Sequence, residues 1–114
     1  MQLREIIDRL ELTLLTGEAD VGIEVTGGYC GDLLSHVLAN AGPRTLWITI
    51  QRHENVVAVA QLAQLAGVLL AGGVRPDGPT LDKARTLGVP LMASSQSAFA
   101  LAGRLFPLVR SEDG

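Results

Sequence analysis

Two glycine pairs and the polar residues around them are the places where this 114-residue chain could do chemistry. Thr26, Gly27, Gly28 and Asp32 form one group, and Thr49, Gln51, Arg52 and His53 a second. Gly72, Gly73 and Arg75 form a third, and Ser94 and Ser95 a fourth. Glycine reaches positive φ and lets a backbone or a ligand approach closely. Main-chain N–H groups, hydroxyls and guanidinium groups all donate hydrogen bonds to phosphate or carboxylate oxygens. Together these residue types support the binding of a small anionic or nucleotide-like metabolite. Each has a structural reading as well. The glycine pairs permit tight turns, and Asp32, Asn55 and Ser95 are good helix caps. Arg52 and Arg75 suit a solvated surface, and His53 is a loop histidine whose charge can change near neutral pH.

The parts of a reaction centre are missing from the pattern. There is no G-x-x-x-x-G-K-[ST] phosphate loop and no G-x-G-x-x-G fingerprint, since Gly72-Gly73 lacks the third glycine. No G-x-S-x-G nucleophile turn occurs, and spacing assigns no histidine and carboxylate to activate Ser94, Ser95 or Ser97. The single Cys30 cannot form an internal disulfide, and with His36 and His53 it fits no zinc spacing. The expectation is a non-catalytic chain with no metal and no cofactor. A small phosphotransferase or hydrolase built on Thr26 or His53 is the catalytic alternative.

Composition narrows the partners. A net charge of −3, no basic run and only Tyr29, Trp47, Phe99 and Phe106 as aromatics give nucleic acid neither an electrostatic footprint nor a stacking platform. Hydrophobic residues make up 47% of the chain and charged ones 18%, which suits one folded domain with a well-covered core. Arg4, Glu5, Asp8 and Arg9 interrupt any signal-peptide core, and no apolar run approaches the ~20 residues of a membrane span. The lone cysteine suits a reducing compartment, so the expectation is a cytoplasmic protein without a membrane partner.

The elements that must position the polar groups follow from periodicity. Leu3, Ile6, Ile7 and Leu10 recur at helical spacing, and residues 12–15 and 22–26 read as short strands. On this reading Gly27-Gly28 falls in a loop between a strand and a helix over 33–39 that Asp32 caps and Gly42-Pro43 ends. Apolar runs at 45–50, 67–71 and 89–93 then alternate with helical segments at 55–66, 80–87 and 96–105. Alternation of this kind builds right-handed βαβ units around a parallel sheet. The fold class is therefore α/β, a single three-layer α/β/α domain over residues 1–110 with a mainly parallel sheet and a frayed tail at 111–114. Ligands of such sheets bind beyond the carboxyl ends of the strands, which gathers all four polar groups into one rim. The helix at 55–66 has almost no polar side, with only Gln61 and Gln64 among its apolar residues. That favours a homodimer.

The run Val25-Thr26-Gly27-Gly28, its continuation Gly31-Asp32-Leu33-Leu34-Ser35, and the segments Leu46-Trp47-Ile48-Thr49-Ile50-Gln51 and Gly67-Val68-Leu69-Leu70-Ala71-Gly72-Gly73 resemble the DRTGG domain family. The resemblance runs from about Met1 to Leu105, and it departs from the namesake motif in having Ile23-Glu24-Val25 before Thr26-Gly27-Gly28. Such domains occur at the N-terminus of HPr kinase/phosphorylase, within large phosphate acetyltransferases and between the CBS domains of some inorganic pyrophosphatases. The resemblance implies an HPr kinase/Mur ligase N-terminal domain-like fold. It also implies a regulatory or ligand-sensing role that acts on a protein partner, with a structural interaction module as the alternative.

Overall fold

Leu3, Ile6 and Leu10 recur on one stripe of the first helix, α1 (Leu3–Leu10), and all three are buried. The computed structural model describes residues 1–17 and 19–109, so the expected tail at 111–114 lies outside the described residues. After α1 come β1 (Thr13–Leu14), β2 (Gly27–Cys30), α2 (Leu34–Asn40), β3 (Thr45–Thr49), α3 (Asn55–Leu62) and β4 (Gly67–Leu70). The chain ends with α4 (Gly78–Leu87), β5 (Leu91–Ala93) and α5 (Ala98–Val109). The strands form one sheet in the order β1-β5-β4-β3-β2, parallel except for β1, which pairs antiparallel with β5. This is the three-layer α/β/α arrangement with a mainly parallel sheet.

Side-chain alternation along the strands separates two cores. Leu46, Ile48, Leu69 and Met92 pack with α1 and α5, while Trp47, Val68, Leu70 and Leu91 pack with α2, α3 and α4. Strands β3 and β4 are buried throughout, as expected of a parallel sheet covered on both faces.

Several boundaries differ from the sequence reading, each for a physical reason. The strand expected at 22–26 forms four to five residues later, at Gly27–Cys30. The apolar segment before it has other partners. Leu3 N–H donates to Ile23 O, Arg4 N–H to Val21 O and Val25 N–H to Met1 O, so residues 21–25 line the start of α1. Gly27 and Gly28 are therefore strand residues, not a loop. A Cβ on Gly28 would lie 2.9 Å from Leu105 Cδ2, so this glycine permits the close seating of α5 on β2. Asp32 does not cap α2, whose N-cap position is Leu33 without a side-chain bond. The helix at 55–66 stops at Leu62, and the expected lack of a solvent face is also corrected, since Asn55, Gln61 and Leu62 are exposed. α4 begins two residues early because Pro79 supplies a preset φ in its first turn. α5 is capped by Ser97 rather than Ser95, with Ala100 N–H donating to Ser97 Oγ at 3.1 Å.

Candidate functional site

From β2 to β5 the chain advances one strand at a time in a single direction, so the parallel strands contain no reversal of order. A reversal occurs in the layers instead. The chain leaves β4 for α4 on one face of the sheet and leaves β5 for α5 on the other. Two adjacent loops that diverge to opposite faces open a crevice at the carboxyl ends of their strands, the usual ligand position in an open α/β sheet.

A cleft of about 390 Å³ lies there, lined by Gly73, Val74, Arg75 and Pro76 of the β4–α4 loop and by Ala93, Ser94 and Ser95 after β5. Leu81 of α4 and Thr13 and Leu15 at β1 complete it. Its volume falls in the range of small-molecule sites. Leu15, Val74, Leu81 and Ala93 offer an apolar wall, and Thr13, Ser94 and Ser95 offer hydroxyls. The Arg75 guanidinium makes no ion pair and no side-chain hydrogen bond among the described residues, which leaves its donors available to an anion. A second cavity of about 400 Å³ lies against Thr16, Gly17, Ala19, Ala84, Arg85 and Gly88, at the amino ends of the strands. Size does not separate the two cavities; position at the crevice does.

The structure divides the expected rim. Gly73, Arg75, Ser94 and Ser95 come together in the cleft, and Gly72 adjoins it. Thr26 and Gly27 lie at the amino end of β2, level with Arg44 and Thr45, and so at the opposite end of the sheet from the rim. Thr26 Oγ1 donates to Pro43 O at 3.3 Å there. Gly28 is a mid-strand residue beneath α5.

The N–H groups expected to be free are largely taken. Gly72 and Gly73, at φ of 70° and 77°, turn the chain after β4. Their N–H groups donate to Gln96 O at 2.7 Å and Ser94 O at 2.9 Å, which ties the two cleft-forming loops together. Asp32 Oδ1 accepts from Thr49 Oγ1 at 2.8 Å and from Ile50 N–H at 3.0 Å, and Gln51 Nε2 donates back to Asp32 O at 2.8 Å. That set staples the β2–α2 loop to the β3–α3 loop.

Arg52 clasps the next pair of loops. Its Nε donates to Arg75 O at 2.7 Å, its guanidinium lies 3.4 Å from Asp77 Oδ1, and its own carbonyl accepts from Thr80 Oγ1 at 2.7 Å. His53, 78% exposed in its side chain, places Nδ1 3.8 Å from the other Asp77 oxygen. Arg52 thus positions the backbone at Arg75, and Arg75 itself lines the cleft.

Sequence reasoning missed Thr13 and Asp77. Thr13 reaches the carboxyl rim only because β1 runs antiparallel, a property periodicity does not report. Asp77 carried a usable signal, an acidic residue directly before a Gly-Pro helix start, although its carboxylate pairs with Arg52 and His53 instead of capping.

Cys30 is exposed, and partial burial of its sulfur, with the Asp32 charge adding, pushes the thiol ionisation up. A thiol so disposed is a weak nucleophile at neutral pH. Among the described residues no group of three or more His, Cys, Asp or Glu side chains could hold a metal ion, and no helix is long and apolar enough to cross a membrane.

No family model and no curated protein matches the chain. Its fold is similar to the crystal structure of the CBS and DRTGG domains of the regulatory region of Clostridium perfringens pyrophosphatase, complexed with the activator diadenosine tetraphosphate. The TM-score is 0.62 at 13% sequence identity, and the match covers 91% of this chain and 45% of that one. The chain thus spans less than half the length of this neighbour, and the likeness is one of fold.

Proposed function

We propose that this chain is a non-catalytic regulatory domain, DRTGG-like in fold, that binds a small anionic, nucleotide-like metabolite in the cleft between the β4–α4 and β5–α5 loops. The observation that carries the reading is the coincidence of that cleft with the place where the chain parts to the two faces of the sheet. Arg75 meets a phosphate, Ser94, Ser95 and Thr13 fix its orientation, and the wall of Leu15, Val74 and Leu81 takes the apolar part of the ligand. The regulatory neighbour, complexed with a nucleotide activator, supports the ligand class. Occupancy would bridge both loops and β1, and so couple the ligand to surfaces a partner protein can read.

A thermal-shift panel of mono- and dinucleotides, diadenosine tetraphosphate, phosphorylated metabolites and inorganic phosphate tests this. A ligand that prefers the native state stabilises it by roughly 2.7 kcal/mol at one hundred times its Kd. The expected result is a saturable rise in Tm for a nucleotide that Arg75→Ala abolishes, with the fold of the variant intact. No shift for any compound at millimolar concentration would overturn the ligand reading. The second reading, an interaction module that self-associates, is favoured by Phe99 and Phe106, which remain 90% and 62% exposed on α5.

A further inference from the structure

We propose that the free edge of β2, with α5 on one face and α2 on the other, is the surface on which a second copy of this chain docks. This deepens the interaction reading and is independent of the ligand cleft.

β2 ends the sheet, so one side of its backbone has no strand partner among the described residues. Natural edge strands are guarded by charges, proline or bulges against pairing with another strand. β2 is short, at four residues, but Gly27, Gly28, Tyr29 and Cys30 bring no charge, proline or bulge to it. The apolar character continues off the strand. Gly28, Cys30, Ile48, Ala102, Leu105, Phe106 and Val109 line a shallow groove of about 130 Å³ together with Tyr29, and Phe106 stands at its rim 62% exposed. Phe99 lies two turns earlier on the same helical stripe, at 90% exposure. On the other face Leu33, at the N-cap of α2, and Leu38 within that helix are 67% and 46% exposed.

One symmetry operation accounts for these exposures together. A twofold axis perpendicular to the sheet beside β2 pairs the strand antiparallel with its copy and maps each face of the sheet onto itself. The two α5 helices then meet over one face of the junction and the two α2 helices over the other. A twofold contact sets each group against its own kind, and an uncharged strand with leucine and phenylalanine flanks meets its copy without repulsion. At ~200 Å² for an aromatic side chain, Phe99 and Phe106 alone leave roughly 300 Å² in water. That is a little over a third of the ~800 Å² per partner of a standard interface, before the leucines and the strand are added.

Sedimentation equilibrium of the full chain, with amide hydrogen exchange, tests the surface. The expected result is a dimer whose dissociation constant rises about 100-fold or more in Phe106→Glu and, independently, in Leu38→Lys. Exchange at residues 27–30 should quicken in the same variants while β4 stays protected. Leu62→Glu, on α3, should leave the dimer intact. A chain that stays monomeric to millimolar concentration overturns both this surface and the interaction reading. A dimer that survives Phe106→Glu and Leu38→Lys but is lost in Leu62→Glu overturns this surface and leaves the interaction reading standing.

Discussion

The carboxyl rim of the sheet and its β2 edge handle their polar groups in opposite ways. At the rim, backbone and side-chain donors are consumed in stitching neighbouring loops: Thr49 and Ile50 donate to Asp32, Arg52 to Arg75, Gly72 to Gln96 and Gly73 to Ser94. In the proposed site a ligand would meet a small set, Arg75 with the hydroxyls of the cleft, on loops held by these bonds and by Gln96 N–H donating to Ser94 Oγ. At the β2 edge the backbone is left open among the described residues, and its surroundings are apolar. A fixed rim suits recognition of a small molecule, because few groups need ordering when it arrives. An open apolar edge suits a macromolecular contact.

Substitutions sharpen the contrast, beginning with the largest effect. Gly28→Val forces a branched side chain into α5 where even a Cβ falls 2.9 Å from Leu105 Cδ2. It should cost about 2 kcal/mol, a fall in Tm of roughly 8 °C by calorimetry. Gly28→Ala should cost less, since the terminal methyl of Leu105 can swing. Gly27→Ala meets only Thr45 Oγ1 at 3.8 Å and should stay within about 0.5 kcal/mol of wild type. Equal costs at the two glycines would remove the packing account of the pair.

At the rim, Asp32→Ala strands the hydroxyl of Thr49, itself only 1% exposed, and the N–H of Ile50. A loss of about 1.5 kcal/mol in urea unfolding is expected. Arg52→Ala removes one hydrogen bond to Arg75 O and a solvated ion pair, so it should cost less than about 1 kcal/mol. Hydrogen exchange should nevertheless quicken across residues 73–77 in that variant. Arg75→Ala should leave stability within about 0.5 kcal/mol of wild type and act on ligand binding alone. If instead Arg52→Ala weakens the ligand while the loop stays ordered, Arg52 contacts the ligand directly.

The smallest effect concerns Cys30. Partial burial of the sulfur, with the Asp32 charge adding, raises its ionisation in the folded chain. Its contribution to stability is therefore complete below the unfolded thiol value and is lost as pH rises through the folded value. Urea midpoints should drift down at alkaline pH, and Cys30→Ser should remove that drift. Alkylation of Cys30 in the native protein should also be slower than that of an unfolded thiol at neutral pH.

These regions differed in how much the sequence disclosed. Apolar runs without alternation marked β3 and β4, because strands covered on both faces need no polar side. The parallel βαβ order made the carboxyl rim deducible, and Gly73, Arg75, Ser94 and Ser95 do meet there. Thr26, Gly27 and Gly28 were misplaced because the apolar extended residues 21–25 look like a strand and instead hydrogen-bond along the start of α1. Glycine composition alone does not distinguish a turn, as at Gly72, from a close helix approach, as at Gly28. The strands' lateral order lay beyond local pattern, so the antiparallel β1 that carries Thr13 into the cleft was hidden, as was the β2 edge.

The most direct test of the central claim is an amide NMR titration of the intact chain with each nucleotide in turn. The account expects saturable shifts confined to residues 13–15, 73–75 and 93–95, absent in Arg75→Ala. Saturable shifts centred on residues 26–28, or none at any concentration, would contradict it.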